Sequence, residues 1–285
     1  RNYSYITHNV WKANHKINFE MLTKSFRILF LCFLAAHFLQ SIIISVLAET
    51  PGEPDFSYNE ATGRGPSVWG ELSTKWATCE SGHHQSPINI RFNYVQLLPS
   101  HRPLSTHYKP AAAAAVKTHH GVKVFWNEDA GFLLLNETKY NLIQMHWHWG
   151  SEHELNGVRY SLELHLVHSS PKGIAVIGIL YRIGLQDPLL QTLLPMFSNL
   201  GHENKDLGVL NPGDIQFDKS EYFRYMGSLT TPPCTEGVVW TVIRKTKQVT
   251  KDQVDALKHI VNDTYGSTAR PLQYLFGRTV YLHKA

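Results

Sequence analysis

The residues best placed for chemistry lie in the run Gln144-Met145-His146-Trp147-His148-Trp149-Gly150-Ser151 and, further on, in Glu163-Leu164-His165. On an extended strand successive side chains point to opposite faces. Gln144, His146 and His148 then share one face, and Met145, Trp147 and Trp149 take the other. Glu163, His165 and Val167 likewise lie opposite Leu162, Leu164 and Leu166. If the two segments are antiparallel neighbours, three imidazoles converge, with no cysteine nearby to close the set. Three neutral histidines leave a tetrahedral zinc one position for water, which is the catalytic rather than the structural arrangement. The plain alternative is a set of hydrogen-bonded histidines on a sheet face; the in-phase Glu-x-His weighs against it. A zinc peptidase would need a helical His-Glu-x-x-His, which the sequence lacks.

Such a site needs a sheet, and short strand-like runs dominate the chain. They fall at 122–126, 132–135, 140–149, 161–168, 174–183 and 238–245, with turn residues between them. Helices are few. Asp187-Pro188 before a leucine-rich run reads as an N-cap with Pro at the first helical position. Thr250 and Gln253 open a second helix as a capping box, with Val254, Leu257 and Val261 on one face. The five alanines 111–115 read as a surface loop. The sum is a mostly β, single-domain protein built on a large, mainly antiparallel twisted central sheet with a few peripheral helices. About 220 residues in one unit bury enough surface to be stable without further staples.

The first 48 residues have a different character. Lys24 and Arg27 precede an apolar stretch that ends in Val46-Leu47-Ala48, the pattern of a signal peptide over 21–48 cleaved after Ala48. Met21 is a natural start for it, and 1–20 reads as upstream sequence foreign to the native protein. The same stretch is long enough to span a bilayer, although His37, Gln40 and Ser41 interrupt it. Removing this leader takes five of the 27 basic and one of the 23 acidic residues, leaving 22 of each. The formal charge of +4 therefore belongs to the leader. Neither nucleic acid nor a polyanionic membrane surface is implied as a partner, and no membrane span is expected in the mature chain. Residues 49–64, rich in Gly, Pro and polar side chains, read as a flexible arm before a domain over 65–285. Cys32 leaves with the leader, and an even pair, Cys79 and Cys234, in a secreted chain reads as one disulfide. Asn136-Glu137-Thr138 and Asn262-Asp263-Thr264 are glycosylation sequons that fit a secretory route.

The ordered set Gln85-Ser86-Pro87, His146-Trp147-His148-Trp149, Ser151-Glu152-His153, Glu163-Leu164-His165, Ser228-Leu229-Thr230-Thr231-Pro232-Pro233 and Arg270-Pro271 resembles an α-class carbonic anhydrase. The likeness is greatest to the plant secretory-type members and covers about 65–283. It implies that His146, His148 and His165 bind Zn2+ and that a hydroxide held there hydrates CO2 reversibly to bicarbonate and a proton. It also implies that Gln144, Glu163 and the carbonyl of Thr268 hold the three rings, and that Thr230 donates its proton to Glu152. Thr230 and Thr231 would face bicarbonate and sulfonamide-type anionic inhibitors, and Val167, Val176, Leu229, Val238 and Trp240 would wall the CO2 site. His120 falls at the family's proton-shuttle position, and Cys79 and Cys234 coincide with its disulfide pair. Three residues depart from the family pattern: His119 where glycine is usual, Lys123 for a common asparagine, and Glu71 where many animal members carry a tyrosine. A cation at Lys123 is expected to press on the shuttle's pKa by like-charge repulsion. The alternative function is a non-catalytic storage or binding relative. The mature protein is expected as a monomer or weak dimer, secreted to the apoplast or carried onward to a plastid.

Overall fold

Antiparallel pairing of Thr138–Trp149 with Leu162–Ser170 sets His146 directly opposite His165 and Glu163 directly opposite His148. The computed structural model describes residues 55–99, 103–261 and 266–285. The expected leader over 21–48, the upstream 1–20, the first part of the arm (49–54) and the sequon at Asn262 lie outside these residues.

The two strands sit in the middle of a thirteen-stranded sheet. Its main path runs Lys205–Leu210, Ala111–Thr118, Gly121–Trp126, Thr138–Trp149, Leu162–Ser170, Gly173–Ile183, Glu236–Ile243, Glu221–Ser228, Tyr281–Lys284 and Gln96–Pro99. Most neighbours are antiparallel; Gly173–Ile183 runs parallel to Glu236–Ile243, and Tyr281–Lys284 parallel to Gln96–Pro99. The sheet is therefore mixed, and its antiparallel centre lets adjacent strands exchange hydrogen bonds squarely across the site.

Alternation divides the sheet into two faces. Met145, Trp147, Leu162, Leu164, Leu166, Ile177 and Ile179 belong to one continuous core with Leu190 and Leu193 of the helix Pro188–Met196 and Val254 and Leu257 of the helix Lys251–Ile260. Burying a Leu or Ile side chain stabilises by about 1.5–3 kcal/mol, so this face fixes the register. The opposite face is then free to hold the polar residues. Both helix starts form as the sequence predicts. Asp187 accepts from Leu190 N at 3.0 Å, and Thr250 and Gln253 make a reciprocal capping box.

Two expectations are overturned. Residues 111–115 are not a surface loop but the start of the strand Ala111–Thr118, with Ala113 and Ala115 fully buried. Alanine has weak strand preference, yet strands on both sides supply a complete ladder, and methyl groups suit a close approach of sheet and core. The arm is not loose from Asp55 on. Trp69 Nε1 donates to the carbonyls of Ser57 and Arg64, and Phe56 and Tyr58 pack on a small core of Trp69, Trp76, Cys79 and Cys234. Aromatic burial here outweighs the turn-forming composition.

Candidate metal centre

One ring nitrogen of each of His146, His148 and His165 lies within 4.8 Å of the others. The other nitrogen of each ring is committed. His146 Nδ1 donates to Gln144 Oε1 at 2.8 Å, His148 Nδ1 to the Thr268 carbonyl at 2.6 Å, and His165 Nε2 to Glu163 Oε1 at 3.0 Å. Each acceptor oxygen fixes a tautomer, so Nε2 of His146 and His148 and Nδ1 of His165 present lone pairs toward one another. His148 Nε2 is buried without a hydrogen-bond partner, and so is Glu152 Oε2, 3.6 Å away. Two buried, facing lone-pair groups repel unless a cation or proton joins them. The residues therefore fit a divalent, nitrogen-preferring metal such as zinc.

Two of the rings are held toward the neutral form that a metal requires. Burial, followed by the neighbouring His148 and His165, holds His146 well below the ordinary histidine value. Burial lowers His148 too, against the opposing pull of Glu152. For Glu163 burial pushes upward, but His153 and His165 overcome it as charges and donors and keep the carboxyl well below its usual range. His153 extends this set. It donates from its backbone and Nδ1 to Glu163, both at 2.8 Å, while its Nε2 meets Tyr225 Oη at 2.7 Å, which in turn meets Ser86 Oγ at 2.7 Å. Sequence reasoning gave His153 and Tyr225 no role, because Tyr225 lies 72 residues from His153 in the chain and only the fold joins them.

The metal-facing side of the sheet continues into an apolar wall. Val167 pairs directly with Val176, Val176 with Trp240, and Gly227 with Val238. Trp240 lies with its ring centre 4.9 Å from that of His165, and its Nε1 donates to the Ser228 carbonyl at 2.8 Å. All four side chains are buried, and Leu229 is half-buried at the start of the loop that carries Thr230 and Thr231. That loop is tied by Cys234 N to Thr231 O and by Leu229 N to Thr235 O, both 2.9 Å. It is anchored by the Cys79–Cys234 disulfide, whose Cα atoms stand 4.9 Å apart. The Thr230–Glu152 hydrogen bond is not formed in this structure. Glu152 Oε1 accepts instead from Arg270 N at 2.9 Å, and Oε2 has no partner.

His120 sits at the edge of the site, shielded rather than open. Its ring stacks on Phe56 with centroids 3.9 Å apart, Tyr58 meets it edge-on, and neither ring nitrogen has a hydrogen-bond partner. Burial lowers its pKa to about 4, with Asp55 opposing and His119, His148 and Arg64 adding to the drop. Lys123 is not among the strongest influences on His120. It pairs opposite His146 in the sheet and lowers that ring's pKa. The tyrosine beside the relay is Tyr58; Glu71 is exposed on the short helix Trp69–Leu72. Phe56→Ala is expected to wet the imidazole and raise the His120 pKa from about 4 by at least about one unit toward 6.5, read by NMR titration. A value that stays put would mean that Phe56 is not the source of the burial.

A mixed sheet with three converging imidazoles, each backed by an oxygen acceptor and flanked by an apolar wall, defines a β protein with a three-histidine group that could hold a metal. The family model for eukaryotic-type carbonic anhydrase matches residues 64–284, and the chain belongs to that family. It is 40% identical over 237 residues to alpha carbonic anhydrase 4 of Arabidopsis thaliana, covering 83% of this chain and 88% of the relative. Among solved structures, dioscorin complexed with ascorbate aligns with a TM-score of 0.78 and 41% identity, over 81% of this chain and 98% of that one. The α-carbonic anhydrase of Thermovibrio ammonificans in complex with the inhibitor sulfanilamide aligns with a TM-score of 0.74 and 30% identity, over 81% and 100%. Among the described residues no helix is long and apolar enough to cross a membrane.

Proposed function

We propose that the protein hydrates CO2 reversibly to bicarbonate and a proton, with zinc held by His146, His148 and His165. The observation that carries this is the convergence of three imidazole lone pairs whose outer nitrogens are already bonded to Gln144, Thr268 and Glu163. A bound zinc ion supplies Lewis acidity and brings the pKa of a coordinated water to about 7, a general magnitude for which carbonic anhydrases are themselves the standing example. The chain's own residues supply the rest. Val167, Val176, Leu229, Val238 and Trp240 offer CO2, which has no net dipole, an apolar wall. Thr230 is assigned to hold the reacting oxygens through its hydroxyl and backbone N–H, with Glu152 as the assigned acceptor for the Thr230 proton. Thr231 borders the anion that leaves, the same position in which sulfonamide-type inhibitors are expected to bind. His120 is assigned as the proton acceptor.

The test is stopped-flow CO2 hydration before and after removal of metal by a chelator, with zinc then returned. Catalysis lost on chelation and restored by zinc is expected; a zinc-loaded protein no faster than buffer would end the reading. The second reading, a non-catalytic storage or binding relative, draws on the dioscorin likeness. It is favoured by background hydration together with saturable ascorbate binding.

A secretory route is part of the proposal, with a signal peptide over 21–48 and delivery to the apoplast or a plastid. Asn136 bears on it directly. It lies with Glu137 at the tip of a two-residue hairpin, both with positive φ and both exposed, between paired Leu135 and Thr138. Asparagine is among the residues that tolerate that conformation, and the tip presents the amide to solvent. Protein from a plant secretory system is expected to carry N-glycan at Asn136, seen as a mass loss on glycosidase treatment that Asn136→Gln abolishes. Unmodified Asn136 in secreted material would argue against that route for this site.

A further inference from the structure

We propose that His119 and His202 form the outer end of the proton path, a pair of solvent-facing imidazoles that hands the proton released by hydration to buffer. This rests on the hydration reading above. The proton formed with each bicarbonate must end on a buffer base, and His120 is poorly placed for that handover. Both of its ring nitrogens are buried, and one face is closed by Phe56.

His119 and His202 are both exposed. Their ring centres are 5.2 Å apart, and His119 stands 6.4 Å from His120, giving three imidazoles in a row from shielded to open. Such gaps are closed by direct contact or by about one water, the reach over which a proton is passed between side chains. Histidine is the side chain whose ordinary titration range spans neutral pH, so a row of them conducts protons where Lys or Asp would hold or refuse them.

The arrangement is built by the backbone rather than by chance approach of two long side chains. Thr118 Oγ1 donates to the Gly121 carbonyl at 2.9 Å and accepts from His120 N at 3.2 Å, fixing the turn that carries both histidines. Lys117 N donates to the Gly201 carbonyl at 2.9 Å and staples the segment bearing His202 beside that turn. The other charged groups at the relay are Asp55, 3.9 Å from His120 Nε2, and Arg64, which pairs with Asp55 at 3.0 Å.

The experiment is stopped-flow hydration by zinc-loaded protein at low and high buffer concentration for the parent, His119→Ala, His202→Ala and the double variant. In low buffer kcat is expected to fall at least about threefold in the double variant. That is well below the 10²–10⁴ that general acid–base catalysis can contribute, because water offers a bypass. The ratio kcat/KM and the zinc content are expected to stay at the parent's values, and concentrated imidazole buffer to restore kcat. A double variant with parental kcat in low buffer overturns the inference; so does a loss that imidazole does not rescue, or a parallel fall in kcat/KM. A zinc-loaded parent without hydration activity removes the hydration reading and this inference together, whereas an active parent indifferent to both substitutions removes this inference alone.

Discussion

His148→Ala is expected to leave the protein folded, strip it of tightly held zinc and lower CO2 hydration by on the order of a thousandfold or more. The magnitude follows from the nucleophile. Bulk water ionises far above neutral pH and zinc-bound water at about 7, so loss of the metal removes nearly all hydroxide at neutral pH. His148 is the choice of ligand because its ring is the most constrained of the three. Its Nδ1 is bonded to a backbone carbonyl, its Nε2 is buried, and Glu152 faces that nitrogen. Alanine there leaves two imidazoles with two of the four positions of a tetrahedral ion unfilled. Glu163→Gln provides the graded comparison, since a group behind a ligand costs only about 10–100-fold in metal affinity or activity. Metal analysis after dialysis and stopped-flow rates decide the matter. A His148→Ala protein that kept one equivalent of zinc and the parental rate would show that the three-histidine centre is not where the chemistry occurs.

The convergence of three histidines was legible from residue types because its logic is local. Period-two alternation places His146 and His148 on one face whatever the rest of the fold does, and Glu163 and His165 repeat it. The facing of the two strands was an inference, and the register that sets His146 opposite His165 supports it. The Ala111–Thr118 strand was not legible, since alanine gives neither a strand preference nor an apolar alternation and only its neighbours' ladders decide its state. Residues 55–64 misled for the opposite reason. Their composition signals turns, but two aromatic rings, Phe56 and Tyr58, and the Ser57 and Arg64 carbonyls find partners only once Trp69 is in place. The shielding of His120 by Phe56 is a product of that packing, and so is the edge-on contact of Tyr58 with the same ring. The Ser86–Tyr225–His153–Glu163 chain joins three distant segments of sequence, and no spacing rule reaches across them.

Loss of the Cys79–Cys234 bridge is expected to cost about 3–5 kcal/mol of stability and to lower Tm by on the order of 10 °C in the double serine variant. The bridge closes a loop with a sequence separation of 155, so cutting it frees a large stretch of the unfolded chain. Its effect on function is expected to differ from that of a ligand change. The three rings proposed to bind zinc stand on strands whose pairing does not involve either cysteine, so zinc content should remain near one equivalent. Cys234, however, ends the loop that holds Thr230 and Thr231. The same region is tied to Gln85 Nε2 by the Cys234 carbonyl at 3.1 Å and to Arg270 Nη2 by the Cys79 carbonyl at 2.7 Å. Without the bridge this loop loses its covalent tie to the Trp69 and Trp76 cluster and samples positions in which Thr230 no longer addresses the reacting oxygens. Hydration should therefore fall several-fold at 25 °C while zinc stays bound, a separation that neither global unfolding nor metal loss produces. Verified reduction of the bridge with unchanged kcat and unchanged Tm would mean that the surrounding hydrogen bonds alone hold the Thr230 loop.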